Sequence, residues 1–130
     1  MKRVLKPGGV LAVWSYTMAD TVPEITAVVA KFARDILDGY WAPEVVAHTD
    51  AYTDDNFPFA TVDYTPPRMY KTWSQSDYLN YLRTWSAYRS YVRANGTDPI
   101  QLIEAEFADA WGDRDTLVVE WELLMRVGRV

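Results

Sequence analysis

The feature that most constrains this chain is a hard stop followed by an unbroken apolar run: Pro7-Gly8-Gly9, then Val10-Leu11-Ala12-Val13-Trp14. Proline and glycine together punctuate the backbone as a turn. A strand wetted on one face alternates apolar and polar residues, and this run does not. It therefore predicts a strand buried on both faces, the signature of an interior strand in a parallel sheet and hence of an α/β fold. Ahead of the turn, Lys2-Arg3-Val4-Leu5-Lys6 reads as the last turn of a helix, with cations where the helix dipole favours them. The chain is thus expected to begin inside an element.

Downstream, Thr21-Val22-Pro23-Glu24 fits a capping box with proline near the helix start. Ile25, Val28, Val29, Phe32 and Ile36 then recur at helical spacing until Gly39 closes the segment. The stretch 40–68 is rich in proline and acidic turn residues and predicts an irregular excursion, with a short helical turn around Pro43–Ala47. Either Phe59–Tyr64 or Met69–Trp73 has the composition of a strand. Ser74-Gln75-Ser76-Asp77 is a second capping box, leading into Tyr78, Leu79, Leu82 and Trp85 on one face. A helix restarts at Ser86 and ends at Asn95-Gly96; another opens at Asp98-Pro99, turns Ile100, Ile103, Phe107 and Trp111 inward, and stops at Gly112. The terminal segment Thr116–Val127 alternates Leu, Val, Trp, Leu, Met and Val with polar positions and reads as one strand.

Composition narrows the function. A net charge of -5 argues against a nucleic-acid backbone or an anionic membrane surface as the main partner. With no cysteine and the single histidine His48, thiolate catalysis and cysteine- or multi-histidine-ligated metal are excluded. No apolar run approaches the ~20 residues of a membrane span, and no signal-peptide pattern follows the basic start, so a cytoplasmic location is expected. Six Trp and nine Tyr outweigh four Phe, a mixture that suits pocket walls as well as an aromatic core.

Leu5-Lys6-Pro7-Gly8-Gly9 and the run after it resemble the turn and fifth strand of class I S-adenosylmethionine-dependent methyltransferases. In that family the sheet has seven strands, and the last, antiparallel to the rest, is inserted between the fifth and sixth. The resemblance implies the C-terminal part of a Rossmann-like methyltransferase sheet (the fifth strand plus the last two strands) with a helical cap. On that basis 1–20, 57–73 and 115–130 supply sheet, and 21–56 and 74–112 supply cap and insertions. Tyr78-Leu79-Asn80-Tyr81-Leu82-Arg83-Thr84-Trp85-Ser86-Ala87-Tyr88, with Asp98-Pro99 and Trp111-Gly112, is similar to the subgroup of trans-aconitate methyltransferase and related small-molecule O-methyltransferases. S-adenosylmethionine is the implied cofactor. Its Gly-rich turn between a strand and a helix has no counterpart here, since Pro7-Gly8-Gly9 and Ala94-Asn95-Gly96 are placed otherwise.

Candidate substrate-binding residues follow from this placement. Trp14 and Tyr16 stand at the carboxyl end of the interior strand, the edge where open α/β sheets collect ligands, although Trp14 also suits a core. Trp85, Ser86 and Tyr88 offer a ring wall with hydroxyls, and Arg89 a guanidinium fork for a carboxylate; the same residues also suit a helix–helix junction with Trp85 as a plug and Ser86 as N-cap. Trp41, His48 and Tyr52 fall in the irregular stretch and suit either a lid or a solvated loop. Asp54-Asp55 and Asp113-Arg114-Asp115 suit turns and solvent-facing charge. No residue stands out as catalytic. The expected partner is a small-molecule acid or alcohol, not nucleic acid or membrane. The expected function is the substrate-side half of a methyltransferase; the other reading is a non-enzymatic remnant acting as a binding or dimerisation module. Because the family partner on one side of the strand 10–14 is missing, a homo-oligomer or a partner chain is expected to cover that edge.

Overall fold

The Pro7-Gly8-Gly9 turn closes with the Gly9 amide donating to the Lys6 carbonyl at 2.8 Å, and Gly8 takes the left-handed conformation that glycine tolerates (φ 79°). This is a computed structural model of the chain, and it describes residues 5–45, 57, 59–65 and 67–129. In chain order the elements are β1 (Val10–Tyr16), α1 (Pro23–Lys31), β2 (Ala60–Thr61), β3 (Met69–Trp73), α2 (Gln75–Arg83), α3 (Ser86–Asn95), a 3-10 turn (Pro99–Leu102), α4 (Glu104–Trp111), β4 (Leu117–Trp121) and β5 (Leu123–Arg129). The helix expected over residues 2–6, His48, Tyr52, Asp54 and Asp55 fall wholly or mostly outside the described residues. A single helical turn occupies 43–45.

The strands form two sheets, ordered β1-β5-β2 and β3-β4. β5 pairs antiparallel with β1 along its whole length, from Val10 opposite Arg129 to Tyr16 opposite Leu123. β2 lies antiparallel on its other side, with Ala60 opposite Arg129. The last strand is therefore inserted between the first and second strands of this sheet, the mixed α/β arrangement that the sequence implied. Beyond β2 the ladder is extended by the Val62 amide, which donates to the Val127 carbonyl at 2.8 Å, and by the Tyr64 hydroxyl, which donates to the Met125 carbonyl.

Three expectations are corrected. The alternating terminal segment is two strands, not one: β4 pairs with β3, the chain pivots at Glu122, and β5 pairs with β1. Both candidate strand segments of the middle region are used, Phe59–Tyr64 contributing β2 to the first sheet and Met69–Trp73 forming β3 in the second. β1 is not buried on both faces; Val10, Trp14 and Tyr16, which share one face, are 49%, 63% and 54% exposed, because that face is not packed into the buried core among the described residues, and β1 has a strand neighbour on one side only among them.

At the start of α1 the expected capping box does not form. The N-cap is Val22, and the Thr21 hydroxyl instead donates to the Val118 carbonyl on β4 at 2.8 Å. No side chain caps the helix in its place; the Asp20 carboxylate accepts from the Thr21 amide at 2.9 Å and the Thr26 hydroxyl at 2.8 Å, ahead of the helix start. After Lys31 the helix widens into a π turn over Phe32–Ile36, with the Leu37 amide bonded to the Phe32 carbonyl at 3.0 Å. The Ala33 carbonyl accepts instead from the Trp41 indole at 3.0 Å. The second capping box forms as expected, with Ser74 and Asp77 satisfying one another's amides. α3 starts with Trp85, not Ser86, as its N-cap, and ends at Gly96 (φ 70°).

The hydrophobic core lies among the helices and the β3-β4 ribbon. Ile25, Phe32 and Leu37 from the first helical segment meet Tyr78, Leu82, Ala87, Ile100, Phe107 and Trp111, with Val119 and Trp121 from β4. Aromatic rings dominate it, each fully buried one removing a large apolar area from water, worth about 1.5–3 kcal/mol. Trp73 meets Trp121 edge-on at 5.0 Å, and Phe107 stacks with Trp111 at 5.8 Å. No residue of β1 or β5 belongs to this core.

Candidate functional site

Two open clefts meet where β1 ends and β4 passes into β5. Their common wall is a bridge in which Asp20 and Glu120 exchange backbone hydrogen bonds at 2.8 and 2.9 Å. The larger, about 530 Å³, runs between the start of α1 (Thr21, Val22, Pro23) and the outer side of β4 (Leu117, Val118). The smaller, about 390 Å³, is bounded by Thr17, Arg68, Trp121 and Glu122. Thr17 sits at the pivot: its amide donates to the Glu122 carbonyl at 3.0 Å, and its hydroxyl accepts from the Glu122 amide at 3.2 Å.

Arg68 is the cation of the smaller cleft. It pairs with Glu120 and lies over the Tyr70 ring, 5.8 Å from its centre. Register explains the meeting, since Tyr70 stands directly opposite Glu120 in the β3-β4 ladder. Both partners are substantially exposed, so the ion pair contributes little to stability and can be exchanged for a ligand. Around this one guanidinium stand three carboxylates, Asp20, Glu120 and Glu122. Such a lining suits hydroxyl donors and neutral polar groups; a ligand carboxylate has to displace Glu120 from Arg68.

The six residues singled out from the sequence are carried by different packing units, and none lines either of these clefts. Trp14 and Tyr16 are exposed on β1, on the sheet outside the core. Trp85 packs against the core, its ring 5.4 Å from Trp41, 5.9 Å from Tyr81 and 6.2 Å from Phe32. Ser86 and Arg89 are exposed on α3. Burial, then the nearby Asp98 carboxylate, raises the Tyr88 hydroxyl above its ordinary pKa. Asp98 is itself bonded to Arg83 at 3.4 Å and caps the 3-10 turn through the Ile100 amide at 2.9 Å. The cleft residues Thr17, Asp20, Arg68, Glu120 and Glu122 escaped sequence reasoning. Arg68 follows a proline pair, and the glutamates look like the wet face of a terminal strand; nothing local shows that 52 residues of chain return one to the other.

The glycines do not fit S-adenosylmethionine. A Cβ on Gly9 would collide with the carbonyl of Lys6 in its own turn, 2.8 Å away, so the glycine serves the turn; a Cβ on Gly8 would meet nothing within 4 Å. The connection from β1 to α1, 17–22, contains no glycine at all. The described residues thus offer no backbone cradle of the kind that holds a nucleotide cofactor.

No family model matches the chain. A protein of Dictyostelium discoideum named "putative methyltransferase" is 28% identical over 117 residues, which is 88% of this chain and 44% of the relative. The solved structure of a "putative type II methyltransferase" from Anaeromyxobacter dehalogenans superposes with a TM-score of 0.88 at 34% identity, over 98% of this chain and 55% of that one. The chain has a methyltransferase fold. It spans about half the length of each of these two proteins.

Proposed function

We propose that this chain is the substrate-side portion of an S-adenosylmethionine-dependent methyltransferase acting in the cytoplasm on a small molecule, through a hydroxyl or a carboxylate. The observation that carries this reading is the cleft at the carboxyl end of β1, where Arg68 and Glu120 face Thr17 within a methyltransferase fold. Ligands of open α/β sheets gather at that end of the strands. The three-to-one excess of carboxylates favours a hydroxyl acceptor over a free acid. Methyl transfer depends strongly on bringing acceptor and methyl group into line, so a site that orients a polar small molecule supplies much of what the chemistry needs. The cofactor then has to be held by polypeptide other than the described residues. The trans-aconitate-type subgroup is the finer form of this proposal and rests on the Thr84–Tyr88 segment.

Calorimetry and NMR titration test it. The isolated chain is expected to bind neither S-adenosylmethionine nor its demethylated product. Small hydroxy acids are expected to shift the resonances of Arg68, Tyr70 and Glu120, and Arg68→Ala to abolish those shifts. Cofactor binding by the chain alone would overturn the division of labour. Silence of Arg68 and Glu120 toward every acid and alcohol tried would overturn the cleft.

The second reading, a module for binding or self-assembly, is favoured by one observation: among the described residues β1 has a strand neighbour on one side only, and it carries no charged residue.

A further inference from the structure

The bridge between the two clefts carries two carboxylates that are turned apart and differently held. Asp20 and Glu120 stand directly opposite one another in it, so their side chains leave the same face. Glu120 reaches toward β3 and is paired with the Arg68 cation. Asp20 turns the other way, toward α1. Its Oδ1 accepts from both the Thr21 amide at 2.9 Å and the Thr26 hydroxyl at 2.8 Å. Two donors on one oxygen fix the direction of the carboxylate and leave the acceptor capacity of Oδ2 to the clefts, both of which Asp20 lines. An anion positioned in this way is a strong acceptor for a hydroxyl.

On the α1 side of Asp20 the lining changes character. Val118 stands two residues before Glu120 on the same face of β4, about 7 Å away, and is exposed. Val22 and Pro23 line the same cleft from the start of α1. The Thr21 hydroxyl ties that start to the Val118 carbonyl at 2.8 Å, which fixes the spacing of the two walls. An apolar slot thus opens onto the Asp20 carboxylate from one side, and the polar cleft of Thr17, Arg68 and Glu120 from the other.

We propose that the two clefts take one ligand, an alcohol with an apolar body of roughly 7 Å, the reach from Glu120 to Val118. Its hydroxyl donates to Asp20 where the clefts meet, a second polar group reaches Thr17 and Glu120, and the body lies between Val118 and Pro23. A carboxylate in place of that hydroxyl brings like charge against Asp20. Such a ligand presupposes that the smaller cleft is the acceptor site, and it gives the acceptor an apolar half.

NMR titration and calorimetry of the full chain with ethylene glycol, styrene glycol and mandelate test this. Styrene glycol adds a phenyl ring to ethylene glycol, and mandelate replaces its primary alcohol with a carboxylate. Styrene glycol is expected to bind roughly tenfold tighter than ethylene glycol, since part of the ring leaves water, and tighter than mandelate. Both glycols should shift the resonances of Thr17 and Glu120, and of the two only styrene glycol those of Val22 and Val118. Asp20→Asn keeps Oδ1 for Thr21 and Thr26 and exchanges Oδ2 for an amide. It is expected to weaken both glycols roughly fivefold and to narrow the preference over mandelate. Val118→Thr is expected to weaken styrene glycol roughly threefold and to leave ethylene glycol unchanged. Equal affinity for the two glycols, or a ring that leaves Val22 and Val118 unshifted, would overturn the proposal; the acceptor cleft would stand if Arg68 and Glu120 still respond. An Asp20→Asn variant that keeps the full preference for styrene glycol over mandelate would overturn it too. Silence of Arg68 and Glu120 toward all three probes would remove the acceptor cleft, and this ligand with it.

Discussion

Tyr78 and Tyr81 lie three residues apart on α2, and the same substitution should act on them with opposite sign. The Tyr78 ring is fully buried against Trp73, Phe107 and Trp111, yet its hydroxyl has no hydrogen-bond partner among the described residues. A buried donor without a partner carries its desolvation cost uncompensated, so Tyr78→Phe is expected to leave stability unchanged or to raise it by about 1 kcal/mol. The Tyr81 hydroxyl accepts from the Trp121 indole at 3.1 Å. Tyr81→Phe strands that indole N–H in a largely apolar layer and is expected to cost about 1–3 kcal/mol. Urea midpoints of the two variants check both signs. Burial also raises the Tyr78 hydroxyl pKa above the ordinary 10.0, so the unfolded chain ionises first and stability falls as pH rises past that value. In Tyr78→Phe that alkaline loss should be smaller; an identical alkaline profile would show that other groups cause it.

At the scale of elements, the two capping boxes show what a local pattern can and cannot reveal. Ser74 and Asp77 form theirs because every partner involved lies within one turn: the Ser74 hydroxyl meets only Asp77 and Ser76 among the described residues. Ser74→Ala is expected to cost about 1 kcal/mol, measurable by thermal or urea unfolding. The hydrogen bonds from Ser74 hold the Asp77 carboxyl below its ordinary 3.8. The contribution of the box is therefore present above that pH and lost as pH falls through the lower folded value, and Asp77→Asn should flatten the acid limb. Thr21 matches the same pattern, but β4 supplies a carbonyl that takes its hydroxyl, and long-range contact overrides local preference. The terminal strand misleads for a related reason. Leu117, Val119, Trp121, Leu123, Met125 and Val127 stay in phase across the pivot at Glu122, so alternation continues while the strand changes partner and sheet. Helix positions, their glycine stops and the inward set Ile100, Ile103, Phe107 and Trp111 were legible because they depend on neighbours within a few residues. The cleft was not, because Arg68 reaches Glu120 only through the pairing of β3 with β4.

For the whole molecule, the division between core and sheet sets how the chain should open. Among the described residues sixteen buried side chains pack into one cluster of helices and β3-β4 ribbon, and none of them comes from β1 or β5. The β1-β5-β2 sheet is held by its ladder, by the Tyr64 hydroxyl on Met125, and by the Phe57 ring and the Phe59 Cβ, which cover Gly128 so closely that a Cβ there would lie 2.5 Å from Phe57 and 2.8 Å from Phe59. Gly128→Ala should push Phe57 and Phe59 away and loosen the sheet by about 1–3 kcal/mol while leaving the helical core intact. Regions with few buried apolar contacts open at lower free energy than the core, so native-state hydrogen exchange should find β1 and β5 less protected than α2 and α4.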